Sequence, residues 1–487
     1  MAQLKKVLAG SFAVLMAASM MTACGKDDSS NGGSTGNGGS DWKYSGDLKE
    51  TKAEPVKQNK EGSADSKKKL VICTWNEEFK NRLRAFYPDY DKTASKMTGE
   101  TDNKGNFIVG DKEYLKDGTE IVWKTTTNEG NAYQDKLDSD LKAQADSEDK
   151  IDMFLVEADY ALKYVNGPYV MPVKEVGLTD DDLKDQYKYT KDVVTDSKGD
   201  LQGVSWQATP GLFAYRRDIA KDVLGTDDPT EVQAKISNWD DFNKVAEQMK
   251  AKGYFMLSGY DDSYRTFSNN VTKCWVDSEY KVHVDDNLMK WVDQTKEYSD
   301  KGYNNKTSLW DKQWGADQGK EGKVFGFFYS TWGINFTLKD NAKSNDLYYV
   351  CPGPQAYYWG GTWMCAAQGT DNKELVCDIM KKLTCDKEIM KKITDETQDY
   401  TNNQAAMDEL SKGFKSTFLG GQNHIAMFSE YAPKINIEKA GPYDQGCNES
   451  FQKAFKDYFL GTIDKDTALK NFYKMIKEKY PNLKTPS

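Results

Sequence analysis

The hydrophobic pattern in the first folded part of the chain changes repeatedly between that of a strand and that of a helix. Continuous apolar runs at 69–75, 120–123 and 151–156 predict buried strands. Apolar residues spaced three and four apart predict a helix over 77–86 and a second helix that begins at an N-cap, Asn131. This β-α-β-α-β order predicts a parallel sheet covered by helices.

Polar side chains lie where the three predicted strands end, at 75–77, 125–127 and 157–160. In sheets of this kind, ligands bind beyond the carboxyl ends of the strands. No G-x-G-x-x-G or P-loop follows any strand, so the pattern does not indicate a dinucleotide or a nucleoside triphosphate. We therefore expect a ligand site at this edge, formed by side chains rather than by a phosphate loop.

Residues 88–118 are polar and rich in turn signals, and we interpret them as an insertion in which 107–109 and 113–115 pair as a hairpin across Gly110-Asp111. Farther on, apolar runs at 324–329 and 347–351 predict two more strands. Two further helices are predicted to begin in the capping sequence Ser237-Asn-Trp-Asp240 and at Asp464. The amphipathic stretch 286–300 has the spacing of another helix.

The N-terminus has the pattern of an export signal. Lys5 and Lys6 precede an apolar stretch, 7–20, which is shorter than the roughly 20 residues that a membrane-spanning helix needs. Cys24 follows Met21-Thr-Ala directly, an arrangement that resembles a bacterial lipobox, in which the cysteine receives the lipid. A plain signal peptide with an incidental Cys24 is the alternative.

The segment after Cys24 has the composition of a tether. Gly25–Ser40 is almost wholly Gly, Ser, Asn, Asp and Thr, and a charged stretch continues to residue 68, so 24–68 cannot bury enough apolar surface to fold. We predict a signal peptide at 1–23, a disordered tether at 24–68 and a folded body attached to the outer side of the cell membrane by its lipid.

Composition narrows the classes of function. The net charge is −10 for the full chain and becomes −12 without residues 1–23, which carry two lysines and no acids, so an affinity for nucleic acid is not expected. Aromatic residues make up 12% of the chain, including 12 Trp and 28 Tyr, and such rings suit a cleft that stacks on sugars.

Cysteine and histidine usage argues against a covalent or metal site. Apart from Cys24, seven cysteines remain without a C-x-x-C pair, and we expect most of them to be small buried hydrophobes, although one disulfide is left open. His283 and His424 are far apart, so neither a zinc site nor a histidine-activated nucleophile is predicted. Neither a metal nor a cofactor is implied. The Arg216-Arg217 pair is expected to be surface charge.

Several segments together resemble the extracellular solute-binding proteins of family 1, the maltose-binding-protein-like receptors of carbohydrate ABC importers. Besides the lipobox and tether, these are Leu70-Val-Ile-Cys-Thr-Trp-Asn-Glu-Glu78, Ile151-Asp-Met-Phe-Leu-Val-Glu-Ala-Asp-Tyr160, Trp206-Gln-Ala-Thr-Pro-Gly-Leu-Phe-Ala-Tyr-Arg216, Trp239-Asp-Asp-Phe242, Gly326-Phe-Phe-Tyr-Ser-Thr-Trp332 and Gly360-Gly-Thr-Trp363.

The resemblance implies a periplasmic-binding-protein-like α/β fold with two lobes joined by a hinge that the chain crosses three times. We place the crossings near Gly211, Trp363–Ala366 and Ala406. The N-terminal lobe then comprises 69–211 and 364–406, with the insertion at 88–118, and the C-terminal lobe comprises 212–363 and 407–487. Closure of the lobes would trap the ligand between them.

Within that frame, aromatic faces and carboxylate or amide groups are the expected sugar contacts. The predicted ligand-binding residues are Trp332, Asp159, Trp75, Asn76, Glu77, Trp363, Trp206 and Asp261. Each has a structural alternative. The Trp residues could pack in the core or at the hinge, Asp159 could cap the next helix, Asn76 could be an N-cap, and Asp261 could lie in a solvated turn.

The resemblance predicts an extracytoplasmic, monomeric receptor that binds a sugar or oligosaccharide and delivers it to the permease subunits of an ABC importer without catalysis. A lipid-anchored glycoside hydrolase is the alternative, because Glu77, Glu157 and Asp159 could supply the two carboxylates that such enzymes use. A surface adhesion protein is a third possibility, and it would not need a two-lobed cleft.

Overall fold

The computed structural model describes residues 60–486 of the 487-residue chain. The signal peptide, Cys24 and nearly all of the predicted tether therefore lie outside the described residues.

The described chain is a mixed α/β protein. Its strands are β1 (Lys69–Thr74), β2 (Glu113–Tyr114), β3 (Glu120–Thr125), β4 (Met153–Glu157), β5 (Val170–Met171), β6 (Val204–Ser205), β7 (Gly211–Arg216), β8 (Leu257–Gly259), β9 (Asn304–Thr307), β10 (Gly326–Ser330), β11 (Tyr348–Cys351) and β12 (Thr362–Ala367). Its α-helices are Glu78–Phe86, Ala132–Ala143, Ala161–Val165, Val173–Val176, Lys188–Asp192, Arg217–Leu224, Pro229–Lys235, Trp239–Ala251, Tyr264–Ser268, Asp286–Lys301, Lys312–Asp317, Thr331–Gly333, Lys339–Ala342, Lys373–Thr384, Lys387–Thr397, Gln404–Leu410, His424–Tyr431, Asp444–Phe459 and Lys465–Lys479.

The first sheet has seven strands in the order β2-β3-β1-β4-β12-β5, with β6 paired to β12. Strand β1 lies parallel to both β3 and β4, with Lys69 opposite Glu120 and Ile72 opposite Met153. The predicted parallel β-α-β-α-β unit is therefore confirmed. Strand β12 comes from much later in the chain and pairs antiparallel with β4.

The two helices of this unit form for the predicted reason. Leu83 of the first helix and Leu137 of the second are buried against the sheet. The predicted N-cap position of the second helix, Asn131, is confirmed, but its backbone is left-handed (φ 64°) and its side chain makes no capping hydrogen bond. The later cap at Asp464 is confirmed, since its side chain accepts a hydrogen bond from the backbone N–H of Thr467. The helix predicted at Ser237-Asn-Trp-Asp240 is present, but its cap is Asn238, which accepts from the backbone N–H of Asp241, rather than the Ser237 of a capping box.

The insertion pairs differently from the prediction. Thr101 bridges Phe107 across the turn at 103–105, while β2 pairs with β3 so that Glu113 lies opposite Ile121. The hairpin predicted across Gly110-Asp111 is therefore wrong. A buried ion pair explains the preference, because the Glu113 carboxylate receives two hydrogen bonds from the Arg84 guanidinium, at 2.7 and 2.6 Å, and β2 carries Glu113 to that position.

The second half of the chain forms a separate sheet, β10-β7-β11, which is antiparallel, and the short parallel pair β8-β9. The strands predicted at 324–329 and 347–351 are confirmed as β10 and β11. A distinct hydrophobic cluster lies among three helices of this half, Asp286–Lys301, Asp444–Phe459 and Lys465–Lys479. These elements make the second lobe of a two-lobed, periplasmic-binding-protein-like fold.

Three segments run side by side where the chain passes between the two sheets. Residues 206–210 connect β6 to β7, residues 352–361 connect β11 to β12, and residues 398–403 follow the helix Lys387–Thr397. The backbone N–H of Ala208 binds the carbonyl of Tyr400, and that of Trp359 binds the carbonyl of Thr209. The passage between the lobes is therefore a small hydrogen-bonded bundle of chain segments.

Two predictions about individual side chains have different outcomes. Among the described cysteines, Cys73, Cys351, Cys365 and Cys447 are buried as predicted. The prediction of surface charge is wrong for Arg216, whose side chain is only 2% exposed. Its guanidinium donates to three backbone carbonyls of the turn at 319–322 and closes that loop onto the end of β7.

Candidate functional site

A cleft separates the edge of the seven-stranded sheet from the second half of the chain. It encloses about 40 Å³ in this conformation, much less than the roughly 300–1,000 Å³ of a small-molecule site, so its two walls lie close together. The residues that follow β4 form one wall, and the helix after β8 forms part of the other. The lining comprises Ala158, Asp159, Leu162, Arg265, Ser268, Asn269, Val271, Tyr358, Ile437, Lys439, Ala440, Gly441, Asp444 and Asn448.

A bidentate ion pair spans this cleft. The two terminal nitrogens of Arg265 donate to the two carboxylate oxygens of Asp159, at 2.5 and 2.7 Å. Asp159 follows β4 directly, and Arg265 lies on the short helix Tyr264–Ser268. Although burial disfavours the charged guanidinium, Asp159 raises the pKa of Arg265 above its ordinary value. The pair joins the two lobes by the strongest type of side-chain hydrogen bonding.

Further carboxylates crowd this pair. Burial, reinforced by the nearby Asp159 charge, raises the pKa of Glu157 to about 8. The pKa of Asp444 is raised to about 8, mainly by burial and also by Asp159. Asp444 Oδ1 is buried and has no hydrogen-bond partner among the described residues. Because a buried polar oxygen without a partner is costly, this carboxyl oxygen is suited to form a hydrogen bond with a ligand, as an acceptor or, when the carboxyl is protonated, as a donor.

A group of tryptophans lies beside the linking segments. Trp332 is buried, and its indole N–H donates to the carbonyl of Trp359 at 3.0 Å. Trp310 stacks on Trp332 with 6.2 Å between ring centroids and an angle of 20°. Trp310 is only partly buried and has a left-handed backbone, with φ of 73°. A bulky residue held in that conformation is strained, and such strain is found most often at functional positions.

The sequence prediction missed Trp310. It lies in the short polar segment Ser308-Leu-Trp-Asp311, which has no strand or helix periodicity, so the available signal was an aromatic residue in a loop. The predicted stacking residue Trp332 lies beneath it, with 1% of its surface exposed. In this conformation the partly exposed ring of the group is therefore Trp310, and Trp332 supports it.

The three residues after β1 make mainly local contacts. Trp75 packs edge-to-face on Tyr133, with ring centroids 5.2 Å apart. Asn76 accepts a hydrogen bond from the backbone N–H of Glu78, and Glu77 forms ion pairs with a lysine and an arginine of the following helix. These three side chains do not line the cleft described above.

The other three predicted contacts also lie outside that cleft. Trp206 stacks on Phe79 in the core of the first lobe, and the indole N–H of Trp363 donates to the carbonyl of Thr190 at 2.8 Å. Asp261 accepts a hydrogen bond from the backbone N–H of Leu309, and burial raises its pKa to about 6. Asp159 is the predicted residue that lines the cleft, and its partner is Arg265 rather than a helix N-terminus.

A second polar cluster is buried among the linking segments. Asp399 receives hydrogen bonds from Arg82 at 3.2 Å, from Gln207 at 3.0 Å and from the Thr331 hydroxyl at 2.5 Å. Glu78 lies 3.7 Å from the same guanidinium, and burial raises its pKa to about 8 although Arg82 lowers it. This network connects the first helix, two linking segments and the residue that follows β10.

Two kinds of feature are absent from residues 60–486. These residues contain no cluster of three or more His, Cys, Asp or Glu side chains arranged to hold a metal ion. Nor do they include a helix both long and apolar enough to cross a membrane.

Solved structures with this fold include three sugar-transport or solute-binding proteins. An extracellular solute-binding protein of family 1 has a TM-score of 0.68 at 16% identity, covering 84% of this chain and 99% of that one. A binding protein of an ABC transporter from B. animalis subsp. lactis, in complex with β-1,6-galactobiose, has a TM-score of 0.58 at 14% identity and covers 86% and 100%. The galacto-N-biose/lacto-N-biose I-binding protein of an ABC transporter from Bifidobacterium longum has 0.56 at 14% identity and covers 76% and 92%.

Among curated proteins, no sequence matches this chain significantly. The sequence model of the bacterial extracellular solute-binding proteins does match, over residues 111–418, which is more than half of the chain. This match includes elements of both lobes and several residues of the cleft. The chain belongs to the bacterial extracellular solute-binding proteins.

Proposed function

We propose that this protein is the substrate-binding receptor of an ABC importer, which captures a sugar or oligosaccharide between its two lobes and releases it unaltered. The observation that carries the proposal is the cleft, whose walls come from different lobes and are bridged by Asp159 and Arg265. A ligand that enters such a cleft contacts both lobes at once, so its binding energy favours the closed form.

The proposed lobes are those expected from the sequence, 69–211 with 364–406 and 212–363 with 407–487. The three linking segments would form the hinge. Their short backbone pairing, for example Ala208 to Tyr400, supports a hinge that rotates by small changes in several chain segments. The buried cluster around Asp399 lies among these segments and would keep them together while the lobes move.

The ligand class is proposed from chemistry and from relatives. Sugars present hydroxyl donors and apolar ring faces, and the cleft and its surroundings offer carboxylates and tryptophans. Two structural relatives are described with β-1,6-galactobiose and lacto-N-biose. We propose Asp159, Asp444 and Trp310 as the first contacts to test. The predicted residues Trp332, Trp75, Asn76, Glu77, Trp363, Trp206 and Asp261 remain candidates that would have to become accessible when the lobes open.

The cellular setting is part of the proposal. We infer that Cys24 becomes the lipid-bearing first residue and that the monomeric body works outside the cytoplasmic membrane beside its permease. The proposed tether reaches from Cys24 to about residue 59 rather than to 68, because Lys60 and Ser63 are bound to the first lobe by backbone hydrogen bonds. Metabolic labelling with a fatty-acid analogue would test the anchor, with label expected on the native chain and absent from Cys24→Ser.

The function is tested by a glycan panel. Thermal shift and calorimetry are expected to identify at least one neutral oligosaccharide that binds, with a stabilisation of about 2.7 kcal/mol at 100 times the dissociation constant. Small-angle scattering should show compaction at saturation. The glycan should be recovered intact, and release of new reducing ends would support the glycoside hydrolase instead. If no glycan of the panel binds, the proposal is refuted.

A further inference from the structure

The two walls of the cleft stand too close together to hold a sugar between them. The cleft encloses about 40 Å³, whereas sites for small molecules have volumes of roughly 300–1,000 Å³. The lobes also touch at a second point, where the side-chain amide of Gln134 donates to the side-chain oxygen of Gln445 at 3.4 Å. A sugar can therefore enter only if the walls move apart.

Each partner of the ion pair that spans the cleft is held by its own lobe. The backbone N–H of Asp159 donates to a carboxyl oxygen of Glu157, the last residue of β4, at 2.8 Å. Arg265 lies between Tyr264 and Thr266, which are buried in the second lobe. Movement of one lobe against the other is therefore passed on to the pair.

The pair cannot persist when a sugar lies between the walls. Its two hydrogen bonds measure 2.5 and 2.7 Å, and N–H···O bonds extend to about 3.2 Å. Inserting a sugar ring widens the cleft by more than this difference, so both bonds break. Bidentate pairs of charged groups are among the strongest side-chain interactions. With side chains only 19% and 30% exposed, this pair is also partly shielded from water, so its loss opposes the entry of a ligand.

Building on the proposed two-lobed receptor, we propose that the Asp159–Arg265 pair is a latch: it closes the cleft before a ligand arrives, and a ligand has to break it in order to bind. The protein without ligand then exchanges between a latched form and an open form, and only the open form accepts the sugar. The apparent affinity is lowered by the fraction of molecules that are latched. The latch therefore raises the sugar concentration at which the receptor fills.

Opening of the latch is measured first without any glycan, by small-angle scattering on the wild type, Asp159→Asn, Arg265→Gln and the double variant. Asp138→Asn is the matched control, because Asp138 pairs with Lys163 within the first lobe at 2.7 Å, outside the cleft lining. Arg265→Lys keeps the charge but loses the bidentate geometry, so it should open the protein only in part. Melting temperatures establish that each variant is folded.

The three variants that remove the pair are expected to have a larger radius of gyration than the wild type, and Asp138→Asn should have the same one. The double variant should open no further than either single variant, because all three remove the same interaction. Calorimetry with a glycan identified in the panel is then done on Arg265→Gln, since Asp159 is itself a proposed contact. Binding should be roughly two- to tenfold tighter than in the wild type, because the latch no longer competes.

Three results would overturn the inference. Folded variants that scatter like the wild type would show that the pair does not hold the lobes together. A double variant that opens further than both single variants would indicate separate effects rather than one latch. Unchanged or weaker glycan binding in Arg265→Gln would show that the pair does not compete with the ligand. Failure of the proposed function is a different result, because then no glycan binds to any variant, while the scattering comparison still tests the latch.

Discussion

Asp399 offers the sharpest test of the buried network at the linking segments. Asp399→Asn keeps the size and shape of the side chain but removes its charge. Arg82 then has the Glu78 carboxyl at 3.7 Å as its nearest acidic group, and burial raises the pKa of Glu78 to about 8. The Arg82 side chain is 4% exposed at this site and that of Asp399 is fully buried. One of the Arg82 nitrogens, Nη1, already has no hydrogen-bond partner among the described residues.

The expected loss follows from removing one partner of a buried pair. Such changes cost about 3–5 kcal/mol, because the remaining charge is left desolvated without compensation. The new amide adds to the loss, because its NH₂ group must occupy the position of one of the two Asp399 oxygens. Gln207 and Arg82 donate to one of these positions, and the backbone N–H of Tyr400 and the Thr331 hydroxyl donate to the other. In either orientation the NH₂ group therefore faces donors.

Urea unfolding followed by tryptophan fluorescence measures the effect. With an m value of about 3 kcal/mol/M, the midpoint should fall by about 1 to 1.7 M. Asp300→Asn is the matched control, because Asp300 pairs with Lys296 on the surface and its side chain is 59% exposed. That change should alter stability by less than about 1 kcal/mol. A loss below about 1 kcal/mol in Asp399→Asn would refute the assignment of Asp399 as the partner that stabilises Arg82.

Three further outcomes are expected. Trp310→Ala should weaken sugar binding by roughly 1–3 kcal/mol in calorimetry, whereas the buried Trp332→Ala should lower stability by about 3–5 kcal/mol; unchanged affinity in Trp310→Ala would remove that ring from the site. The pKa of Glu157 is raised to about 8 in the folded state and is about 4.3 in an unfolded chain. Between about pH 4.3 and pH 8 the folded state therefore binds more protons than the unfolded state, so the free energy of unfolding should fall as the pH rises through this range. Glu157→Gln should flatten that fall, and urea midpoints at pH 5 and pH 9 that change as in the wild type would contradict the cause. Arg216→Ala should lower the melting temperature more than Lys221→Ala, which breaks a pair with Asp227. Arg216→Ala removes the guanidinium from three carbonyls of the 319–322 turn, of which that of Gly319 keeps the backbone N–H of Gly322. Equal melting temperatures would show that the turn holds without the guanidinium.

Local pattern and short-range chemistry were enough to predict much of the fold. The run at 69–75 and the spacing of Leu83 and Leu137 encode β1 and its neighbouring helices, because burial of one face depends on periodicity alone. Asp464 caps its helix as predicted, and the cap at Asn238 lies one residue from the predicted one, since a cap satisfies backbone groups only two or three residues away. The order of segments was also enough to indicate the family.

Where contacts join distant parts of the chain, local pattern was not enough. Strand pairing in the insertion was determined by the buried ion pair of Arg84 with Glu113, which lie 29 positions apart, rather than by the turn signal at Gly110-Asp111. Arg216 is buried because its guanidinium donates hydrogen bonds to a turn that lies more than a hundred residues later in the chain. The cleft residues show the same difference between local and distant information. Asp159 was predicted from its position at the end of a strand, whereas its partner Arg265 had no local signal in the sequence.

The sequence by itself determined the export signal pattern, the alternation of strands and helices, the acidic charge and the strand ends at which polar groups gather, because each depends on neighbours in the chain. Only the tertiary structure decided that Asp159 forms an ion pair with Arg265, that Trp310 stacks on Trp332, and that Asp444 Oδ1 has no hydrogen-bond partner among the described residues. These outcomes depend on distances between residues that are not neighbours in the chain, 106 positions apart for Asp159 and Arg265 and 22 for Trp310 and Trp332. Hydrophobic periodicity carries no information about such distances.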